Sequence, residues 1–471
     1  MLIHCLINSK PDSNVTAEFL SSEFTQSLQF EIDAIFDLYI RIFGTEINQK
    51  NFMTNPITEI QTETGKTTLQ NGLTVVTEQI DSVRSISVGI WIKTGSRNES
   101  EKMAGVTHFL EHMLFKGTEK RTSFDIAQSM ESVGGYLNAF TSTEYTCYYA
   151  RCLDTKLERA IEVLSDMVLN SQFPEEELEK EKKVVLEEMK MYKDSPEDVV
   201  FEEFSSHVFR DHPIGRPVLG YEETVSGFKR DDLFNYVDLR YRPDNMLVAI
   251  AGNVDHDEAV RLVSSYLSKK SGVTEAQERQ PLEPYEVFDT LIKKPIEQTH
   301  MITGRRGLYY DHPDKYLLLL ANTILGGGMS SRLHQNIREK YGYCYSIGPF
   351  TQSYIDSGMY GVYIGTDREY VEHVRTLIRA EFEKIRTEPV GSKELDEAKA
   401  QLKGKLLLSQ ENTSNRMTRL AKSELYFDRF VTLDELVENI DAVTSVDLQT
   451  FSEDFFDPDQ FSETLLLPDK E

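Results

Sequence analysis

Cysteine is scarce in this chain: four residues, Cys5, Cys147, Cys152 and Cys344, among 471. That is too few for a disulfide framework. Cys147 and Cys152 are five apart on an expected strand and point to opposite faces, so they neither bridge nor share a metal. A reducing compartment fits, and we expect a cytoplasmic protein in which the Asn-x-Ser/Thr triplets at Asn14, Asn98 and Asn412 are chance. Long apolar runs are missing too: the longest, around Tyr316 to Ala321, falls far short of the ~20 residues of a membrane span. Basic residues are in deficit, 51 against 78 acids for a net charge of -27. This disfavours nucleic acid and anionic membrane as partners and favours basic ligands. The opening residues carry neither a basic leader nor a cleavage motif, so neither secretion nor organellar import is signalled.

What the chain does contain is one stretch rich in chemistry, Thr107 to Thr118. On a helix, His108 and His112 stand one turn apart with Glu111 between them in projection, all within an arc of roughly 100°. Neutral imidazoles bind Zn²⁺ well, and a catalytic site needs a third protein ligand, an open position for water and a nearby unligated carboxylate to take that water's proton. Two core histidines beside a solvated Glu would be the bland alternative. The enclosed Glu and the packing surface of Phe109, Leu110, Met113, Leu114 and Phe115 argue against it, and His-x-x-Glu-His is the inverted zincin pattern.

The full string HFLEHMLFKGT resembles the pitrilysin-type (M16) zinc peptidases, in the branch that holds mitochondrial processing peptidase and its bacterial relatives, and the resemblance runs over roughly residues 67 to 460. It implies that His108 and His112 bind one zinc per chain and that Glu111 is the general base.

A chain of 471 residues is long for one core. Residues 1–66 read as an extension. It holds an amphipathic helix over about 19–43 and a polar tether from Asn48 to Lys66, and residues 1–52 are expected to be dispensable. A catalytic domain is expected over 67–268, a polar linker over 269–284 and a second domain over 285–467. In the first domain a helix from about Pro174 to Tyr192 is crowded with Glu. Glu181 and Glu188, seven apart, fall inside the arc of Leu178, Val184, Val185, Met189 and Tyr192, and a carboxylate on an apolar face needs a partner such as a metal. The family pattern agrees: the position matching its third ligand is Glu188, and Glu181 matches a second functional Glu. Glu187, the competing ligand, projects away from the apolar arc.

The second half repeats the first in outline, which points to duplication. Laying Phe115-Lys116-Gly117 on Leu325-Gly326-Gly327 puts His108, Glu111 and His112 on Leu318, Ala321 and Asn322, and a matching alignment of the Glu-rich helix puts Glu188 on Lys405. Every metal and base position is lost there. The resemblance implies another task, in which Arg338 and Tyr345, seven apart, reach across a chamber to hold substrate backbone. It also implies that an extended peptide pairs with the edge strand near Asn138 and Ala139. Asp198 and Glu202 lie four apart on one helix face, and they match the acidic pair with which processing peptidases prefer arginine near the cleavage point.

The expected fold is therefore α/β, with two homologous domains of mostly antiparallel mixed sheet covered by helices and closing as a clamshell around a chamber. The expected activity is that of a zinc metalloendopeptidase acting on short or unfolded, basic peptides, as a homodimer. The alternative is a non-catalytic peptide-binding or scaffolding subunit, which the intact metal motif disfavours.

Overall fold

The computed structural model describes residues 62–275 and 279–469; the helix expected over 19–43 lies outside them. In the first half the elements are Glu63–Thr68 (β1), Thr74–Gln79 (β2), Ser85–Ile92 (β3), Val106–Met113 (α1), Ser123–Glu131 (α2), Tyr136–Thr141 (β4), Thr146–Leu153 (β5), Leu157–Asn170 (α3), Glu175–Asp194 (α4), Pro196–Phe209 (α5), Glu222–Gly227 (α6), Arg230–Arg240 (α7), Met246–Gly252 (β6) and His256–Leu267 (α8). In the second they are Asp289–Lys294 (β7), Thr299–Gly307 (β8), Lys315–Gly326 (α9), Cys344–Ser353 (β9), Gly358–Thr366 (β10), Val371–Thr387 (α10), Ser392–Ser409 (α11), Thr413–Phe427 (α12), Leu433–Ala442 (α13), Ser445–Phe455 (α14) and Ser462–Pro468 (β11). No helix among the described residues is long and apolar enough to cross a membrane.

The first sheet runs β1-β2-β6-β3-β5-β4 and the second β7-β11-β8-β10-β9. In each, one parallel pair, β2 with β6 or β7 with β11, is followed by antiparallel neighbours. Removing β1 makes the two connectivities identical, so the duplication is a property of the fold as well as of the sequence. The tether expected to reach Lys66 is shorter than that, because residues 63–68 pair with β2 from Glu63↔Gln79 to Thr68↔Thr74. Strand β1 escapes a hydrophobic reading because it is an edge strand whose side chains are exposed or half-buried, and such a strand needs no apolar alternation. The turn after it is Asn71-Gly72, with Gly72 at φ +95°.

The central strands are buried on both faces, which explains runs such as Met246–Gly252 with no polar alternation. One face of the first sheet packs on helices of its own half, with Phe109, Met113, Leu164 and Val185 in the core. The other face is covered from the second half: Met417, Leu420 and Ala421 of α12 pack on Trp91, Cys147, Leu247 and Ala249. The exchange is reciprocal, since Val200, Phe204 and Val208 of α5 pack on Ile302, Met359 and Leu466 of the second sheet. Cys147 and Cys152 fall in different core clusters on opposite faces and are free thiols. Under α12 the contact is also polar. Glu78, wholly buried, accepts from Arg416 at 2.8 Å and from Arg419 at 3.1 Å.

Candidate metal centre

Helix α1 is short, eight residues, and its start is built rather than left to propensity. Gly105 at its N-cap adopts φ +89°, and a Cβ there would lie 2.4 Å from the Leu219 carbonyl, so only glycine fits. The buried Glu99 carboxylate accepts from the amides of Gly105 and Thr107, both at 2.7 Å, which satisfies helix N–H groups that have no intrahelical partner. Below it, α1 buries Phe109, Leu110 and Met113 and turns His108, Glu111 and His112 toward α4.

On α4 the buried residues are Leu178, Glu181, Val185 and Met189. The apolar arc is narrower than its sequence suggests, because Val184 and Tyr192 are 47% and 42% exposed. Glu187 points outward and pairs with Lys190 at 2.7 Å, whereas Glu188 faces the histidines. Its Oε2 lies 3.7 Å from His108 Nε2 and 3.5 Å from His112 Nε2.

These three residues form a group in which one donor atom from each lies within 4.8 Å of the others. Four tetrahedral bonds of about 2.0–2.2 Å would separate ligand atoms by roughly 3.3–3.6 Å, so the two Glu188 distances are close to those around a zinc ion, while the group as a whole spans up to 4.8 Å. The donor set, two imidazoles and one carboxylate, is one that catalytic zinc uses. Charge agrees. Against the cost of burial, hydrogen bonds donated to Glu181 and Glu188 raise the His112 imidazole to about 9, while burial and the neighbouring His112 push His108 down to about 4. A proton on His112 thus stands where the carboxylates call for a cation.

Glu181 completes the arrangement from behind. Its Oε2 lies 3.1 Å from His112 Nδ1, so that Nε2 is the nitrogen left to face Glu188, and its Oε1 accepts from Lys116 Nζ at 2.5 Å. Burial raises this carboxyl, but His112 and Lys116 outweigh it and the net shift is downward. A carboxylate that fixes the tautomer and orientation of a ligating imidazole is the usual support of such a centre. Glu111 is half-buried beside it, and burial raises its carboxyl, with Thr141 and His112 opposing.

A cavity of about 510 Å³ opens onto His108 and Glu111, and its walls come from both halves of the chain. Asp198 and Glu202 of α5 line it, with Phe201 between them, and Gln352, Tyr354 and Met359 face them from the second half. Asn138 and Ala139 sit on β4, whose only partner in the sheet is β5; Asn138 is exposed and Ala139 buried. Arg338 and Tyr345 keep company with each other but not with this cavity. The guanidinium lies 5.4 Å from the centre of the Tyr345 ring and donates to His334 Nε2 within a π-helix, His334–Glu339. Tyr345 is 82% exposed. Along β9 it stands seven residues from Gln352, roughly 23 Å at strand spacing.

Sequence reasoning missed two supports of the centre. Lys116 stands inside the diagnostic string but was read only as part of the match, and nothing local says that it reaches Glu181. Glu99 has no signal beyond being an acid a few residues before a helix start, which is the place where a carboxylate is favoured. In the second half the residues at the matching positions are Leu318 and Ala321, both buried, and Asn322; Lys405 Nζ donates to the Gly327 carbonyl.

Two family models match the chain in tandem, and the second begins inside the first half, before β6. A family model described as Insulinase (Peptidase family M16) matches residues 74–222, and one described as Peptidase M16 inactive domain matches 227–402. The chain is 40% identical over 393 residues to the Bacillus subtilis protein named "uncharacterized zinc protease YmxG", covering 82% of this chain and 96% of that one. It is 41% identical over 397 residues to an uncharacterized zinc protease of Streptomyces coelicolor, covering 83% and 86%. Among solved structures, a protease from Helicobacter pylori superposes with a TM-score of 0.81 at 22% identity, over 87% of this chain and all of that one.

Proposed function

This chain belongs to the M16 peptidase family, and on that premise we propose that it is a zinc-dependent endopeptidase of processing-peptidase character, cutting short or unfolded, basic peptides. The observation that carries the reading is the convergence of His108, His112 and Glu188 beside Glu111 on the wall of one cavity. His108, His112 and Glu188 would hold one zinc, which when bound lowers the pKa of water and polarises a carbonyl. Glu111 takes the proton of the attacking water and returns it to the leaving amine. Burial serves this role, since a carboxyl with a raised pKa gives the proton back more readily near neutral pH.

An extended peptide is held by backbone pairing along the free edge of β4, at Asn138 and Ala139, with its side chains alternating between the cavity and solvent. Asp198 and Glu202 offer two carboxylates to an arginine of that peptide. Both line the cavity, which supports the assignment. Arg338 and Tyr345 serve a second copy of the chain: their position outside the lining of their own cavity, with Tyr345 exposed and Arg338 half-buried, supports a homodimer in which each subunit lends the pair to its partner. In domain terms, residues 67–268 form the catalytic unit and 285–467 its metal-free counterpart.

The reading is tested by zinc analysis and peptide cleavage in Glu111→Gln. Removal of a base, with every ligand kept, abolishes cleavage and leaves about one zinc per chain. Loss of zinc in that variant would overturn the division of roles.

A further inference from the structure

A second cavity, of about 540 Å³, lies at the junction of the first half, the linker and the second half. Its character is at odds with the chain as a whole. On a protein of net charge -27 it gathers Arg216, Arg240 and Arg279, none of which makes an ion pair among the described residues. The acids that line it are largely committed elsewhere or stand at its mouth. Glu144 is taken by Arg97, by the Tyr426 hydroxyl and by the amide of Ile355, Glu99 by the amides that start α1, and Glu101 and Glu275 are exposed.

Arg240 is the telling residue. It is 9% exposed, at the end of α7, and its Nε is buried without a partner. Among the described residues its only hydrogen bond is a long one, 3.4 Å, from Nη2 to the Asn98 carbonyl. Arg216 holds the next carbonyl, that of Glu99, at 3.1 Å from Nη1. Fastening this loop accounts for one donor on each side chain out of the five that a guanidinium carries. It does not account for leaving a buried positive charge with no ion pair among the described residues, which is costly unless an anion joins it.

We propose that this cavity binds a small phosphate-bearing molecule, held by Arg216 and Arg240 with Arg279 at the rim. The arginines come from a loop, a helix end and the linker, and Arg216 and Arg240 meet at the neighbouring carbonyls of Glu99 and Asn98. A tetrahedral dianion accepts from several sides at once, whereas one guanidinium already satisfies a planar carboxylate. The volume leaves room beyond the phosphate for an ester substituent, against Tyr145 and Tyr426. The site is separate from the metal centre, although Arg216 lines both cavities. It also rests on the loop that carries Glu99, and through it on the first turn of α1.

The test is calorimetric titration of the full chain at fixed ionic strength with inorganic phosphate, a phosphomonoester such as glycerol 2-phosphate, and acetate. We expect one phosphate site per chain, no binding of acetate, and at least about tenfold weaker phosphate binding in Arg240→Met and in Arg216→Met, as charge-assisted bonds are lost. Tighter binding of the ester than of inorganic phosphate would identify an ester as the ligand, and the reverse order would identify the free ion. Arg216 is only half-buried, so its variant remains informative if Arg240→Met does not fold. Absence of phosphate binding, retention of full affinity in the substituted chains, or equal affinity for acetate would each overturn the proposal.

Discussion

Substituting Glu181 separates metal affinity from the metal ligands themselves. The carboxylate is 5% exposed and divided between two partners, Oε2 to His112 Nδ1 and Oε1 to Lys116 Nζ. In Glu181→Gln the side chain keeps its shape and one acceptor oxygen for His112, but the charge is gone and Lys116 loses its counter-ion. In Glu181→Ala both partners are left without an acceptor, and the His112 ring is free to turn. Loss of an outer carboxylate typically costs 10- to 100-fold in metal affinity, about 1.4 to 2.7 kcal/mol. The geometry places Gln near the lower end and Ala near the upper. Lys116→Met leaves the carboxylate on His112 and is expected to cost less than either. The assay is competitive zinc titration against a chromophoric chelator at neutral pH. Zinc bound by Glu181→Ala as tightly as by the unsubstituted chain would refute the reasoning, because it would show that His112 needs no orientation from behind.

The remaining expectations concern the dimer, the substrate and the core. Glu111→Gln and Arg338→Ala chains, each inactive alone, should regain about a quarter of normal activity when mixed and allowed to exchange, since half the dimers then hold one intact site of two; no recovery would mean that Arg338 acts within its own chain or that no dimer forms. Paired kcat/KM values for peptides with arginine or norleucine near the scissile bond should favour arginine by ~1.5 to 3 kcal/mol, and an unchanged preference in Asp198→Asn/Glu202→Gln would reduce those carboxylates to surface. Glu78→Gln strands two buried guanidiniums and should lower stability by about 3–5 kcal/mol in urea unfolding; a shift under ~1 kcal/mol would show that water already reaches the cluster.

How far the sequence could be read depended on whether a feature was local. His108, Glu111 and His112 sit on one turn of one helix, and Glu181 and Glu188 lie two turns apart on another, so helical projection alone brings each set onto a face. The meeting of the two faces took the family resemblance to suggest and the coordinates to describe. The helix exchange was illegible for the opposite reason. Val200, Phe204 and Val208 announce an apolar face on α5, and Met417, Leu420 and Ala421 announce one on α12, but no periodicity says which sheet either face will meet. The same limit hid the Lys116–Glu181 pair, the Glu99 cap and the distance along β9 between Tyr345 and the cavity, all of which depend on partners far away in sequence. Strand β1 was misjudged because an edge strand with exposed faces carries no hydrophobic signature.

The two halves share a connectivity and differ in what stands between the paired helices. In the first, α1 and α4 leave two imidazoles and a carboxylate facing one another, an arrangement that could hold a metal ion. In the second, the matching helices are α9 and α11, and the position of Glu188 is taken by Lys405, whose ammonium donates to the Gly327 carbonyl. A lysine there supplies the positive charge from within the chain, so the pair can pack without a metal, and with Leu318 and Ala321 in place of ligands there is nothing left to hold one. The second half is thereby relieved of chemistry but not of position. Its α12 completes the core under the first sheet, its β9 and β10 supply Gln352, Tyr354 and Met359 to the wall opposite Glu111, and the far end of β9 carries Arg338's aromatic partner out to the surface. Because the exchanged helices bury large side chains on both sides, including Trp91 and Phe204, parting the halves would expose two cores at once. A hinge between the halves of one chain is therefore the costly way to admit a substrate. Movement between the two copies of the proposed homodimer, across a surface where Tyr345 is exposed, leaves both cores intact.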